Sequence, residues 1–425
     1  MIDIKYIREN IEELKKVMAL KNKEVALIDE LLEYDEKRRA LITTTQDLRE
    51  KRNQIAKAKD QIEEGKKLKI ELKENEDELE KIESKYQEIL YSIPNLISSD
   101  TPIGKDESEN KVIRTWGEPT KFDFEPKDHL ELGEKLGVID TKTATEVTAS
   151  RFAYLMGDLA RMEFALVQFV FDTLTNKDIL SEIAKSVGVE EKTFIPVVPP
   201  VMIKPTVMEK MARLQPIEER YYIPQSDLYL VGSAEHTLGP IHMDQTIPES
   251  QMPIRYVGFS PAFREEAGSY GKDTKGIIRM HQFDKVEMES FSLPEESIKE
   301  QDFFVAIQEY LMQSLELPYQ IVAICTGDMG GPDYRQIDIE TWMPGQNKYR
   351  ETHTSDLMTD YQSRRLNTKV RRNDGENQFV HMNDATAFAI GRTIVAIMEN
   401  YQTEDGSIRI PKVLQKWMGK EVIKK

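Results

Sequence analysis

Residues 260–291, SPAFREEAGSYGKDTKGIIRMHQFDKVEMESF, carry the side chains with the most evident chemistry. Two alternating runs flank a Gly-rich, charged connection from Gly268 to Gly276. The pattern predicts two antiparallel strands joined by a long loop. Strand side chains repeat with period two. Arg279, His281, Phe283, Lys285 and Glu287 are therefore expected on one face. Ile278, Met280, Val286 and Met288 fall on the other, with Gln282 and Asp284 among them. Arg264 and Glu266 lie together on the first strand. Such a face suits a nucleotide. Arg264 and Arg279 can grip phosphate oxygens with planar, permanently charged forks. Phe283 can stack on a base, and Glu266 can accept from an exocyclic amine. From residue types alone, a solvated sheet face with scattered ion pairs is the plain alternative.

The chain around this stretch has to position it. At 425 residues it is too long for one ordinary domain. A hydrophobic content of 39% is enough to build a core. The net charge of −17 argues against a broad polyanion-binding surface, so any nucleic-acid contact must come from local basic patches. The single cysteine, Cys325, excludes internal disulfides and fits a reducing cytosol, where a small buried hydrophobe is its expected role. The six histidines show no ligand spacing, so no zinc site is indicated. The N-terminal MIDIKYIRENIEELKK is charged from the start, which suits neither a signal peptide nor a membrane span.

Residues 27–59 space Leu27, Leu31, Tyr34, Arg38, Leu41, Thr45, Leu48, Arg52, Ile55 and Lys59 by alternating fours and threes. Leu68, Leu72, Asn75, Leu79, Ile82, Tyr86, Ile89 and Ile93 repeat that heptad pattern. Gly65 interrupts the two seams and Pro94 stops the second, which predicts an antiparallel hairpin over about 27–93. At 1.5 Å per residue it would extend roughly 40–50 Å. Near its tip the cations Arg49, Lys51, Arg52, Lys57, Lys59, Lys66, Lys67, Lys69 and Lys73 outnumber the acids, reversing the sign of the whole chain. An ordinary solvated coiled-coil surface or a dimerisation device fits that excess, and so does phosphate binding. Residues 93–117, rich in Pro, Ser, Asp and Gly, read as a linker. Helical patterns follow over 118–190, including ARMEFALVQFVFDTLTNKDI, and then a strand, TFIPVVPPVM, ended by Pro199 and Pro200. DLYLVGSAEHTL, 227–238, alternates and would place Ser233 and Glu235 on one face.

FREEAG, a loop and IIRMHQFDKVE resemble motif 2 of the class II aminoacyl-tRNA synthetases, in wording close to the seryl-tRNA synthetases. The resemblance runs almost end to end. The helix, strand and prolines of 160–202 are similar to motif 1, and DATAFAIGRTIVAIMENYQ, 384–402, to motif 3. It implies an α+β fold, an antiparallel sheet flanked by helices and preceded by the coiled-coil hairpin. It also implies a tRNA-binding domain over 1–105 and a catalytic domain over 106–425. The implied activity is ATP-dependent activation of L-serine and its transfer to serine tRNA, by a cytoplasmic homodimer with no membrane contact. A same-fold ligase loading another acceptor and a non-catalytic RNA-binding paralogue are the other readings.

The resemblance also implies roles. Arg264 and Arg392 would be catalytic, at the α- and γ-phosphates. Glu265, Glu266, Arg279, Phe283, Glu351, Thr352, His353 and Thr354 would complete the ATP site, with Glu351 holding Mg²⁺. Ser233, Ala234, Glu235, Glu287 and Thr386 would bind the amino acid, Glu235 near its α-ammonium. Paired carboxylates facing one cavity are costly unless a cation arrives between them. The chain departs from the family pattern in three places. PTVMEKMARLQPIEERYYIP lacks the usual glycines. Thr352, His353, Thr354 and the residues after them replace a run beginning Ile-Ser-Ser. Asp384-Ala385-Thr386-Ala387 stands for Asn-Gly-Ser-Gly. These departures cluster in the amino-acid pocket. Serine is expected to be preferred over alanine, because an unmatched polar pocket rejects the deoxy analogue.

Overall fold

The structure, a computed structural model, describes residues 1–55, 62–267 and 276–425. It divides into two compact units, Met1–Leu96 and Ile97–Lys425.

The first unit contains the hairpin, helices α1 (Leu27–Ile55) and α2 (Ile62–Ser92). Its seam holds Leu31, Thr45, Leu48, Leu72, Tyr86 and Ile89, all buried. Polar seam residues find partners rather than weakening the contact. Asn75 Nδ2 donates to Thr45 Oγ1 (2.6 Å) and to the Leu41 carbonyl (3.3 Å). Arg38 reaches Glu83 at 3.2 Å and lies over the Tyr86 ring. Asn75→Ala is expected to lower hairpin stability by about 1 kcal/mol, the usual net worth of such a bond. An unchanged denaturant midpoint would contradict this. Two expectations change. Arg52 is exposed rather than in the seam, and Gly65 lies within α2. Helical propensity tolerates one glycine at a cost near 1 kcal/mol. Lys57 and Lys59 lie outside the described residues.

The second unit is built on an eight-stranded sheet. Its strands in chain order are β1 (Lys111–Trp116), β2 (Ile195–Val197), β3 (Ile254–Phe263) and β4 (Gln282–Ser292), then β5 (Tyr319–Ala323), β6 (Arg335–Met343), β7 (Lys348–Thr359) and β8 (His381–Ala389). The spatial order is β1-β5-β6-β7-β8-β4-β3-β2, antiparallel except for the β2–β3 pair. Part of the expected linker thus forms the edge strand β1. Residues just before it are tied into this unit: Thr326 N–H donates to the Pro102 carbonyl at 2.9 Å and Arg335 to Asp100 at 2.9 Å.

One sheet face is apolar. Val257, Val286, Met288, Ile337 and Ile339 pack on helices α3 (Asp158–Thr175), α4 (Ser297–Ser314) and α5 (Ile390–Asn400). Their buried stripes include Leu159, Met162, Leu166 and Phe169; Phe303, Ile307 and Leu311; and Ile394 and Ile397, at helical spacing. Each such side chain contributes roughly 1.5–3 kcal/mol on burial. The long pattern expected over ARMEFALVQFVFDTLTNKDI breaks at Asn176, whose side chain caps the next helix, Lys177–Val187. With one face committed to this core, the polar side chains of the central strands are turned to the other.

Candidate active site

A cavity of about 270 Å³ opens on that polar face. Arg264, Phe283 and Glu287, from both predicted strands, all line it. β3 and β4 pair from Gln282 opposite Phe263 onwards. They are shorter than the alternation suggested, because Arg264–Glu266 and Arg279–His281 lie beyond the ladder, linked by Arg264 N–H to the His281 carbonyl at 2.9 Å. Leaving the ladder frees side chains from strict alternation. Ile278 and Met280 line the cavity, against expectation. His281 does not; its Nδ1 faces Tyr221 Oη at 3.0 Å and its ring stacks on Phe152.

Arg264 Nε donates to the Gly232 carbonyl at 3.1 Å, and its guanidinium lies 5.2 Å from the Phe283 ring. Arg279 Nη1 donates to Glu266 Oε2 at 2.5 Å. Glu266 has a left-handed backbone, φ 52°. Arg392, in the first turn of α5, meets Glu351 Oε1 at 2.9 Å and the Glu351 carbonyl at 3.0 Å. A bulge in the β6–β7 ladder between Ile339 and Glu340 leaves Thr352 as the extra residue. The bulge shifts the alternation, so Glu351, Thr352, Thr354 and Asp356 all line the cavity. His353 falls on the opposite side, buried against Phe388. Burial drives its pKa to about 3, so it is neutral near pH 7. Glu265 is also outside the lining, its N–H bonded to the Glu219 carbonyl at 3.2 Å.

The deep end holds the carboxylates. Residues 227–238 do not alternate throughout: a short strand, Leu228–Leu230, leads through Ser233 and Ala234 into a helix, Glu235–Leu238. Ser233 and Ala234 are buried behind the cavity wall. Ser233 Oγ donates to Glu287 Oε1 at 3.1 Å, and Thr386 Oγ1 to the same oxygen at 3.0 Å. Lys285 pairs with Glu287 and lies 3.1 Å from Ser233 Oγ. Burial opposes ionisation of Glu235, yet its pKa lies well below the carboxylate range, held there by His236, Lys285 and Arg213. His236 is itself pushed to about 3 by burial, so near pH 7 the two fixed cations carry that effect. Glu287 is raised by burial, which the Lys285 cation opposes and the Glu235 charge reinforces.

Residue types had not pointed to Arg213 or Asp356, and had placed Lys285 on the face without a role. Arg213 comes from the segment lacking the usual glycines. Its Nη2 lies 3.0 Å from Asp384 Oδ2 and 3.7 Å from Asp356 Oδ2. Burial lifts Asp384 to about 7 despite this cation and raises Asp356 well above its ordinary value. The signal for these residues was present as three separate departures from a family pattern. Nothing in sequence spacing says that positions 213, 356 and 384 meet.

Comparison with known proteins agrees with this architecture. Residues 1–97 match the seryl-tRNA synthetase N-terminal domain, and residues 220–401 match the class II tRNA synthetase core domain (G, H, P, S and T). The chain is 40% identical to a serine–tRNA ligase of Petrotoga mobilis, over the full length of both. It is 39% identical to that of Thermodesulfovibrio yellowstonii, again over both whole chains. Among solved structures, the seryl-tRNA synthetase from Pyrococcus horikoshii complexed with ATP superposes with a TM-score of 0.89 at 37% identity, covering 100% of this chain and 99% of that one. A two-part match of this extent, on a sheet that carries the expected polar cavity, places the chain in the seryl-tRNA synthetase family of class II aminoacyl-tRNA synthetases.

Proposed function

We propose that this chain activates L-serine with ATP and transfers the seryl group to serine tRNA. One observation carries the reading: a single cavity is lined by the arginines and ring suited to a nucleotide, Arg264, Arg279, Arg392 and Phe283, together with the paired carboxylates Glu235 and Glu287. ATP lies with its base on Phe283 and its exocyclic amine toward Glu266. Arg264 holds the α-phosphate and Arg392 the γ-phosphate. The α-ammonium of serine enters between Glu235 and Glu287, and the hydroxyls of Ser233 and Thr386 fix the Glu287 carboxylate. The serine carboxylate attacks the α-phosphorus and pyrophosphate leaves. The tRNA terminal hydroxyl then takes the acyl group. No protein nucleophile is required, and catalysis is positioning and charge stabilisation.

Mg²⁺ belongs to the same reading. Among the described residues, no three His, Cys, Asp or Glu side chains come together to hold a metal. Glu351 has 49% of its side chain exposed, and it lines a neighbouring opening with Asp338 and Glu340. Mg²⁺ commonly takes one or two carboxylates and completes its shell with substrate phosphates and water. These residues fit that demand, and the ion would neutralise phosphate charge.

The hairpin is assigned to the tRNA. Arg49, Lys51, Arg52, Lys66, Lys67, Lys69 and Lys73 are exposed along it. A second copy of the chain is expected against exposed Phe164, Ile195 and Val198, which are 64%, 51% and 82% accessible. The test is ATP–pyrophosphate exchange with purified protein, then charging of serine tRNA. Serine-dependent exchange and charging are expected. Absence of exchange rejects the activity, and exchange without charging points to another acceptor.

A further inference from the structure

The three departures from the family pattern converge on one place. Arg213, Asp356 and Asp384 line the same cavity as Glu235 and Glu287. Arg213 is aimed there by an unusual backbone: Ala212 before it has φ 57°, a left-handed conformation that disfavours a residue with a Cβ. All three groups are largely buried, and the hydrogen bonding of Arg213 and Asp356 is incomplete. Among the described residues, Arg213 Nε, Asp356 Oδ1 and Glu235 Oε2 have no hydrogen-bond partner. Buried polar atoms are ordinarily satisfied, so this shortfall on residues that line one cavity marks a place where a ligand can compensate the cluster.

Charge divides the orphans between two ends of the ligand. Glu235 and Glu287 face Lys285, and an entering α-ammonium balances the pair. Asp356 and Asp384 face Arg213, with the Asp333 carboxylate within electrostatic reach of both. Two carboxylates against one guanidinium leave one carboxylate uncompensated in a buried setting. Such a group is stabilised by a proton, a hydrogen-bond donor or a cation. The guanidinium is already bound to the carboxylates, so a substrate side chain meets an acceptor-rich floor.

We propose that Arg213, Asp356 and Asp384 form the specificity end of the amino-acid subsite and select a short side chain that donates hydrogen bonds. The chain therefore activates L-2,3-diaminopropionate, the amine analogue of serine, as well as serine. This rests on the activation reaction proposed above. The chemistry is the same for both substrates: the carboxylate oxygen bonds to the α-phosphorus as the bridging P–O bond to the β-phosphate breaks, releasing pyrophosphate. The side-chain ammonium donates to Asp356 and supplies the missing positive charge. Alanine supplies neither and leaves the Asp356 carboxylate uncompensated.

The experiment is ATP–pyrophosphate exchange by the full chain with L-serine, L-alanine and L-2,3-diaminopropionate. The diamino acid is expected within about tenfold of serine in kcat/KM, and alanine lower by about 10³ or more. Asp356→Asn keeps the shape and removes the charge. It should lower the ratio of diaminopropionate to serine activation at least tenfold. Serine exchange with diaminopropionate no better than alanine overturns the inference, as does an unchanged ratio in D356N. No exchange with any of the three overturns the underlying reaction as well. The wild-type comparison decides the substrate question even if the variant folds poorly.

Discussion

Arg264→Ala lowers kcat for serine-dependent ATP–pyrophosphate exchange by about 10²–10³-fold, the usual effect of removing one preorganised donor from a developing charge. Arg264 is suited to that role because its guanidinium is fixed from two sides. Nε is held by the Gly232 carbonyl at 3.1 Å, and the plane is supported by Phe283 at 5.2 Å. Among the described residues no hydrogen bond engages Nη1 or Nη2, which suits them to a bidentate grip. Charge builds on the α-phosphate as the amino-acid carboxylate arrives, so the interaction strengthens in the transition state and its loss appears in kcat. Arg264→Lys keeps the charge but not the fork or the stacking, and should recover only part of the loss. Steady-state exchange kinetics at saturating ATP and serine provide the check. A loss confined to KM for ATP would assign Arg264 to uniform binding and remove it from the chemical step.

Shortening the hairpin separates the two half-reactions. Removal of residues 42–78, with a short Gly-Ser bridge, is expected to lower kcat/KM for tRNA charging by on the order of 10³-fold while leaving exchange within about threefold. The estimate takes three charge-assisted phosphate contacts at roughly 1.5 kcal/mol each. The cut is drawn from the pairing of the helices. Arg38 meets Glu83 and Thr45 meets Asn75, so residues 41 and 79 face each other across the seam and can be joined. The base keeps its buried residues Ile28, Leu31, Tyr86, Ile89 and Leu90. Charging should also lose much of its salt dependence, since phosphate contacts release counterions. Full charging by the shortened chain would remove the tRNA role from the arm. Equal loss of exchange would mean that the deletion acts through folding.

Local pattern was enough for several features. The two heptad runs specify a hairpin because the seam repeats within each helix and needs no distant information. The alternation in β4 assigned Phe283, Lys285 and Glu287 to one face and Val286 and Met288 to the other, since pleating allows nothing else within a strand. The family resemblance extended this to Glu351 and Arg392, whose ion pair at 2.9 Å joins β7 to α5 across the site. Where backbone leaves its ladder, period-two reasoning fails. That is why Ile278 and Met280 face the cavity, His281 turns away, and one bulge brings Glu351 alongside Thr354.

What the sequence by itself determined is therefore the set of elements and the chemistry available on each: a helical arm with a basic end, and strands bearing arginines, a ring and acids. Only the tertiary structure decided which distant residues share a pocket. Arg213, Asp356 and Asp384 are separated by 143 and 28 positions. Their meeting depends on sheet order, on the β7–β8 register that sets Asp356 opposite Asp384 and on a left-handed turn at Ala212. Each is a long-range or locally unfavourable feature stabilised by the surrounding packing, and none leaves a periodic trace in the chain.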